Sequence, residues 1–193
     1  LGSDEKKLRL FFMQSNGGLV DAQFFQGKDS ILSGPAGGII GAKMVSSLAG
    51  LHKIITFDMG GTSTDVAHYA GELERSFETE IAGVRIRAPM MQIHTVAAGG
   101  GSKLFFDGMR YRVGPESAGS TPGPACYRRG GPLTVTDANL MVGKLPLFPT
   151  IFGQHGDLPP DVDRVKYLFE ALSASIKFQC GDKRTPEQVA EGF

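Results

Sequence analysis

The segment Asp58–Asp65, with the sequence DMGGTSTD, carries the residue types that hold a phosphate beside a metal ion. An apolar, β-branched run of strand length ends in Asp58, the glycines Gly60 and Gly61 follow, and Asp65 stands near the start of a second such run. Glycines let backbone N–H groups approach an anion without interference from a Cβ atom. The segment therefore predicts that Gly60 and Gly61 bind phosphate.

Hydroxyl groups follow the two glycines, and Thr62, Ser63 and Thr64 can donate hydrogen bonds to phosphate oxygens. Asp58 and Asp65 would repel a phosphate unless a cation lies between them. Mg²⁺ is bound in this way, by one or two carboxylates, several waters and substrate phosphates. The alternative interpretation is a tight hairpin whose two aspartates are simply solvated.

Two other glycine clusters predict close approach to the backbone. The segment SGPAGG, at residues 33–38, opens a helical pattern, and a helix N-terminus favours phosphate; close packing of a helix against a sheet explains small residues equally well. Gly99, Gly100 and Gly101 follow a strand-like run and are candidates to contact nucleotide or substrate. The order Ser102-Lys103 departs from the P-loop pattern, which ends in Gly-Lys-Ser/Thr.

Two further side chains have candidate chemistry. His94 precedes the triple glycine and is our candidate catalytic residue, since histidine serves as a base or a metal ligand. The alternative interpretation is a structural histidine, which is the more common role of a lone histidine. Cys126 lies next to Arg128 and Arg129, cations that can lower the pKa of a thiol. A small buried apolar residue is the favoured interpretation of Cys126.

The patterning around these residues alternates short strands and helices. Ile40, Met44, Leu48 and Leu51 form one apolar stripe at helical spacing, and Thr136 is a candidate cap for a short helix. The sequence predicts an amphipathic helix over residues 161–176 and a further helix that begins at Thr185. Strand-like runs are expected in these ranges: 9–13, 53–58, 64–69, 72–77, 84–88, 93–98, and a hairpin of 103–106 and 109–113 turning at Asp107-Gly108.

Composition narrows the class of protein. The formal net charge of the 193 residues is +0, and no apolar stretch is long enough to span a bilayer, so we expect neither nucleic acid nor a membrane as partner. Two cysteines are too few for a disulfide framework, which predicts a cytoplasmic location. The helix start at Thr185 lies so close to Phe193 that we expect a truncated domain, whose exposed apolar face can drive homo-oligomer formation.

Six motifs in order along the chain resemble those of the hydantoinase A/5-oxoprolinase/acetone carboxylase family. The resemblance covers roughly residues 13–145, and the stretches AAGGGSKLFF, CYRRGG and PTIFG look closer to the 5-oxoprolinase branch than to the hydantoinase branch. Along the chain the motifs are SGPAGG, FDMGGTSTDV, HTVAAGGGS, VGPESAG, PGPACYRRGG and TVTDANL.

The resemblance implies an α/β fold of the actin/hexokinase/Hsp70 type, in which two ribonuclease-H-like lobes, each a mixed sheet with flanking helices, close on ATP. Only one loop of the Asp-x-Gly-Gly-Thr kind occurs in this sequence. We therefore expect residues 1–193 to be one partial domain, the second ATP-binding lobe of a longer protein. Residues 146–193 would be its helical, truncated C-terminal part.

The resemblance also implies an activity: ATP-dependent hydrolysis of a cyclic amide, 5-oxoproline or a hydantoin, through phosphorylation of the amide oxygen. Asp58 and Asp65 would hold Mg²⁺, while Gly60, Gly61, Thr62 and Ser63 would hold the phosphates. A second half resembling hydantoinase B is a candidate partner. Three alternatives stay open: a subunit of an ATP-dependent ketone carboxylase, a sugar-kinase or chaperone-like protein, against which VGPESAG and PGPACY argue, and an isolated fragment that binds nothing.

Overall fold

The protein forms two compact units in a computed structural model that describes residues 9–81 and 83–193. The first unit comprises the described residues up to Asp58 and the segment Asp65–Thr95. The second comprises Met59–Thr64 and Val96–Phe193. In the described ranges, none of the helices combines the length and the apolar character needed to cross a membrane.

Short strands and one long helix, α1 (Ser33–Leu48), make up most of the first unit. The unit contains three antiparallel pairs, β1 with β2, β5 with β8 and β6 with β7, and a separate three-stranded sheet of order β3-β4-β9. The strands are β1 (Phe11–Met13), β2 (Leu19–Asp21), β3 (Ile54–Met59), β4 (Thr64–Tyr69), β5 (Arg75–Ser76), β6 (Thr79–Ile81), β7 (Val84–Ile86), β8 (Met90–Met91) and β9 (His94–Val96).

Helix α1 buries a different face from its predicted apolar stripe. Ala36 and Ile39 are buried in the core of the first unit, together with residues of β4 and β8. Met44 and Leu48 are 64% and 87% exposed. Residues four apart advance by about 40° around a helix of 3.6 residues per turn, so the stripe that starts at Ile40 leaves the buried face as the helix proceeds.

The second unit combines a hairpin with three helices. Its elements are β10 (Ser102–Phe106), β11 (Tyr111–Ser117), α2 (Val135–Met141), α3 (Val162–Cys180) and α4 (Pro186–Glu191). β10 and β11 pair antiparallel, as predicted. The turn between them contains Gly108 at φ 95°, a backbone conformation that glycine adopts without strain.

The helices of the second unit largely confirm the sequence prediction. Val165, Phe169 and Ile176 of α3 are buried in one core, and α4 has the predicted capping box of Thr185 and Gln188. The prediction that Thr136 caps α2 is wrong. Thr134 is the N-cap, and its backbone N–H and hydroxyl both donate to the carboxylate of Asp137 in the first turn, at 2.9 Å each.

Candidate functional site: a glycine turn held by a triple glycine

The turn Gly60–Ser63 offers unused backbone donors. Gly60 N–H donates to the carbonyl of Ser63 at 2.9 Å, which closes the turn. Within the described part of the chain, the N–H groups of Gly61, Thr62 and Ser63 donate no hydrogen bond, and neither do the hydroxyls of Thr62 and Ser63. Gly61 and Thr62 are exposed. Three consecutive free N–H groups with two hydroxyls form a concentration of donors that suits an anion.

The triple glycine holds this turn in place through backbone hydrogen bonds. Gly100 N–H donates to the carbonyl of Gly60 at 2.9 Å, and Gly101 N–H donates to the carbonyl of Gly61 at 2.7 Å. Gly99 N–H donates to Ser102 Oγ at 2.9 Å. All three N–H groups are therefore used within the protein. Contact of this segment with nucleotide or substrate stays a prediction, and these N–H groups are not available for it.

Close packing explains why the supporting segment is glycine. A Cβ atom on Gly99 would lie 2.7 Å from the carbonyl oxygen of Gly60, and one on Gly101 would lie 2.8 Å from that of Gly61. Both distances are too short for a carbon atom against a backbone oxygen. At Gly61, by contrast, a Cβ atom would meet nothing within 4 Å. The triple glycine thus lets one loop lie directly against the other.

Helix α2 holds the triple glycine in place through Thr136. Thr136 donates two hydrogen bonds to the carbonyl of Gly100, from its N–H and from its hydroxyl, each 2.9 Å long. From the sequence, Thr136 was predicted only to cap a helix. Its link to Gly100 joins residues 36 positions apart, which spacing along the chain does not reveal.

Asp137 is a buried carboxylate that was not among the site residues predicted from the sequence. Its oxygens accept hydrogen bonds from the backbone N–H groups of Ala125, Cys126 and Thr134 and from the Thr134 hydroxyl, at 2.9–3.0 Å. Four donors satisfy a carboxylate removed from water. The spacing Thr-x-x-Asp, which resembles a capping box, is the sequence signal that predicts part of this arrangement.

The predicted metal ligands Asp58 and Asp65 belong to the first unit. Both line a cavity of about 240 Å³ there, together with Gly38 of α1 and mostly apolar residues. Asp65 Oδ1 accepts a hydrogen bond of 2.6 Å from Thr95 Oγ1, whereas Asp58 is exposed. In the described ranges no three His, Cys, Asp or Glu side chains are grouped as ligands for a metal. Two carboxylates on one cavity fit Mg²⁺, which takes its other ligands from water and phosphate.

His94 begins β9 and is exposed. Within the described residues its ring makes no hydrogen bond and no ion pair. Successive side chains of a strand point to opposite faces, so His94 and the Asp65 partner Thr95 face opposite sides. Its catalytic role stays a prediction.

Cys126 is fully buried in the core of the second unit, where it packs with Leu133 and residues of α3. Burial raises the pKa of its thiol far above the usual range, and the nearby Asp137 carboxylate adds to this effect. The environment keeps the thiol protonated and unreactive, so the favoured interpretation as a small buried residue holds.

Sequence comparison identifies relatives along the whole chain. The sequence model of the hydantoinase/oxoprolinase family matches residues 1–193. A 5-oxoprolinase of Dictyostelium discoideum is 49% identical over 201 residues, which cover 94% of this chain and 16% of that protein. The alpha subunit of the caprolactamase of Pseudomonas jessenii is 43% identical over 69% of this chain and 20% of its own length.

Two solved structures have the same fold. A nucleotide-free structure of acetone carboxylase, from a study of ATP-dependent acetone carboxylation, superposes with a TM-score of 0.75 at 29% identity over 96% of this chain and 26% of that one. The crystal structure of the ATP-dependent caprolactamase of Pseudomonas jessenii gives 0.73 at 33% identity, over 94% of this chain and 26% of that one. These likenesses confirm the predicted α/β fold of the actin/hexokinase type. The chain spans only about a sixth of the first curated relatives, between 15% and 16% of their lengths.

Proposed function

Because the chain belongs to the hydantoinase/oxoprolinase family, we propose that it supplies the second phosphate-binding lobe of an ATP-dependent enzyme that hydrolyses a cyclic amide. The first candidate substrate is 5-oxoproline, which would be opened to glutamate, and a hydantoin is the second. The relatives named 5-oxoprolinase and caprolactamase support this substrate class, since both names denote the opening of a cyclic amide.

The free donors of the turn Gly60–Ser63 are the observation that carries this proposal. The N–H groups of Gly61, Thr62 and Ser63 are unused in the described part of the chain, and the turn that bears them is held rigidly by Gly100 and Gly101. Phosphoryl transfer depends mainly on positioning and on neutralisation of charge, so a fixed set of donors is the kind of element it requires.

Asp58 and Asp65 would hold Mg²⁺, directly or through water. They flank the turn in the sequence and line one cavity. When bound, Mg²⁺ neutralises charge on the phosphate oxygens of ATP. The hydrogen bond from Thr95 orients Asp65 for this role, and Asp58 stays open to solvent and ligand. His94 would supply a polar group on the substrate or metal side.

ATP overcomes the low reactivity of an unstrained lactam. In the proposed reaction the amide oxygen attacks the γ-phosphorus of ATP, and ADP leaves. Water then adds to the activated carbon and the C–N bond of the ring breaks, with a proton passing to the nitrogen, which leaves an acyl phosphate. A second water adds to the same carbon, and phosphate departs with the former amide oxygen. The residues of this chain would hold the phosphates of ATP during the first step.

A second candidate function is a subunit of an ATP-dependent ketone carboxylase. The TM-score of 0.75 with acetone carboxylase favours it. Both functions are compatible with a partner subunit that resembles hydantoinase B, as the designation of a relative as a caprolactamase alpha subunit suggests. Both use the same phosphate turn, so the turn alone does not distinguish them. The remaining alternative is that the chain by itself binds no nucleotide.

Titration calorimetry of the chain with Mg-ATP tests the phosphate site. We expect saturable binding by the wild type and a loss of at least about tenfold in affinity for Asp58→Asn, the weakening expected when one charged ligand is removed. Asp157→Asn is the matched control, because Asp157 is exposed and makes no ion pair or side-chain hydrogen bond in the described ranges. Equal affinities for wild type and Asp58→Asn would exclude Asp58 as a ligand.

The substrate class is tested by measuring the rate of ATP hydrolysis by a longer polypeptide, which contains this chain and has the length of its relatives. Stimulation by 5-oxoproline or hydantoin supports the cyclic amide hydrolase. Stimulation by acetone together with bicarbonate, and by neither cyclic amide, supports the ketone carboxylase. An ATPase activity that none of these compounds changes would contradict both candidate functions.

A further inference from the structure

Thr136 connects to the phosphate turn through a single peptide group. Its hydroxyl and its N–H donate to the carbonyl of Gly100, at 2.9 Å each. The same peptide group carries the N–H of Gly101, which donates to the carbonyl of Gly61 at 2.7 Å. We propose that Thr136 is a positioning residue for the turn Gly60–Ser63; this inference rests on the proposed phosphate-binding function.

The chain of hydrogen bonds ends on a free donor. The carbonyl of Gly61 and the N–H of Thr62 belong to one planar peptide group, and that N–H is unused in the described residues. A peptide group whose carbonyl accepts hydrogen bonds becomes a stronger donor through its N–H, because each bond polarises the next. The Thr136 hydroxyl therefore strengthens the Thr62 N–H through two peptide groups without contacting the ligand.

A parallel chain ends on the neighbouring donor. Ser102 N–H donates to the carbonyl of Gly99 at 3.0 Å, and the N–H of the same peptide group, that of Gly100, donates to the carbonyl of Gly60. That carbonyl shares its peptide group with the free N–H of Gly61. The adjacent N–H groups of Gly61 and Thr62 thus each lie at the end of a separate series of hydrogen bonds. Of these two series, the one that ends at Thr62 begins at a side-chain hydroxyl.

Thr136 is itself fixed in place. It lies between Thr134 and Asp137 in the sequence, and Thr134 donates two hydrogen bonds to the Asp137 carboxylate across the first turn of α2. Asp137 is fully buried and also binds two N–H groups of the loop at Ala125 and Cys126. A Cβ atom on Gly100 would lie 2.8 Å from Thr136 Oγ1, so the hydroxyl fits closely against the glycine. The first turn of α2 is therefore held in place by hydrogen bonds from the residues on both sides of Thr136.

Amide hydrogen exchange in the ligand-free chain tests the positioning directly. We expect the N–H group of Gly101 to exchange about five- to tenfold faster in Thr136→Val, which keeps the shape of the side chain and loses the hydroxyl. Thr136→Ser retains the hydroxyl and is expected to stay within about twofold of the wild type. Thr150→Val is the matched control, since Thr150 is exposed and its side chain makes no hydrogen bond in the described part of the chain.

The affinity for Mg-ATP, measured on the same proteins, links positioning to function. We expect it to fall about five- to tenfold in Thr136→Val and to be restored in Thr136→Ser, with unchanged exchange protection of α3 in both. If Gly101 exchanges faster in Thr136→Val but the wild type binds no Mg-ATP, the positioning role of Thr136 is retained and the phosphate site is rejected. Unchanged exchange at Gly101 in Thr136→Val would overturn the positioning whatever the affinity. If Thr136→Val does not fold, Thr136→Ala against Thr136→Ser makes the same comparison.

Discussion

Gly99 lies against Gly60 so closely that a Cβ atom on Gly99 would be 2.7 Å from the carbonyl oxygen of Gly60. The same Cβ would lie 2.8 Å from the backbone nitrogen of Thr62. Both contacts are to backbone atoms, which have no rotamer with which to move aside. The proposed phosphate turn and the loop that supports it can therefore keep their present separation only with glycine at position 99.

We expect Gly99→Ala to lower the free energy of unfolding by about 1–3 kcal/mol, the usual cost of overpacking a closely packed site. The measurement is urea denaturation followed by circular dichroism. Gly61→Ala is the matched control: a Cβ atom there meets nothing within 4 Å, and we expect a change within about 0.5 kcal/mol. Equal stabilities of the two variants would mean that the loops separate without cost.

Removal of the Asp137 carboxylate is expected to be more damaging. Asp137→Ala leaves three backbone N–H groups and one hydroxyl without an acceptor in a buried site, and we expect a loss of about 3–5 kcal/mol in the free energy of unfolding. Asp157→Ala, a change of the same type at an exposed position, should stay within about 0.5 kcal/mol. Equal denaturation midpoints for these two variants would contradict the role of Asp137.

Local patterns predicted the elements of this fold well, because each pattern reflects a short-range physical preference. The hairpin at Asp107-Gly108, the strand Thr64–Tyr69 and the capping box at Thr185 all depend on residues within a few positions of each other. The exposed stripe of α1 shows the limit of such patterns. A helical spacing of apolar residues predicts a helix, but which face is buried depends on the elements packed against it.

The arrangement of the candidate site was only partly predictable. The glycines of the turn and of its support were both selected from the sequence, yet the sequence did not indicate that Gly100 and Gly101 use their N–H groups to hold Gly60 and Gly61. Thr136 was missed as a support for the same reason. Long-range hydrogen bonds between backbone groups leave no trace in residue type, since every residue except proline carries the same donor and acceptor.

The two thiols are expected to differ sharply in reactivity. Cys126 is fully buried and its pKa is raised, whereas Cys180 is exposed near the end of α3. A thiol-specific reagent at pH 8 should therefore modify one cysteine rapidly in the native chain and the second only when the chain is unfolded. In Cys180→Ser no rapid modification should remain. Comparable rates at both positions in the native chain would contradict the burial of Cys126.

The raised pKa of Cys126 predicts that the chain loses stability in alkaline solution. A group whose pKa is higher in the folded state contributes fully below its unfolded pKa, about 8.5 for a thiol, and progressively less as the pH rises. Between about pH 8.5 and pH 10 the unfolded thiol ionises while the folded one stays protonated. Ionisation of this group should therefore lower the free energy of unfolding, with a slope that approaches about 1.4 kcal/mol per pH unit. Urea denaturation of wild type and Cys126→Ala at several pH values isolates the effect, because their difference in stability cancels the other titrations. That difference should narrow as the pH rises through this window, and a difference that stays constant from pH 7 to pH 10 would show that the thiol ionises equally in both states.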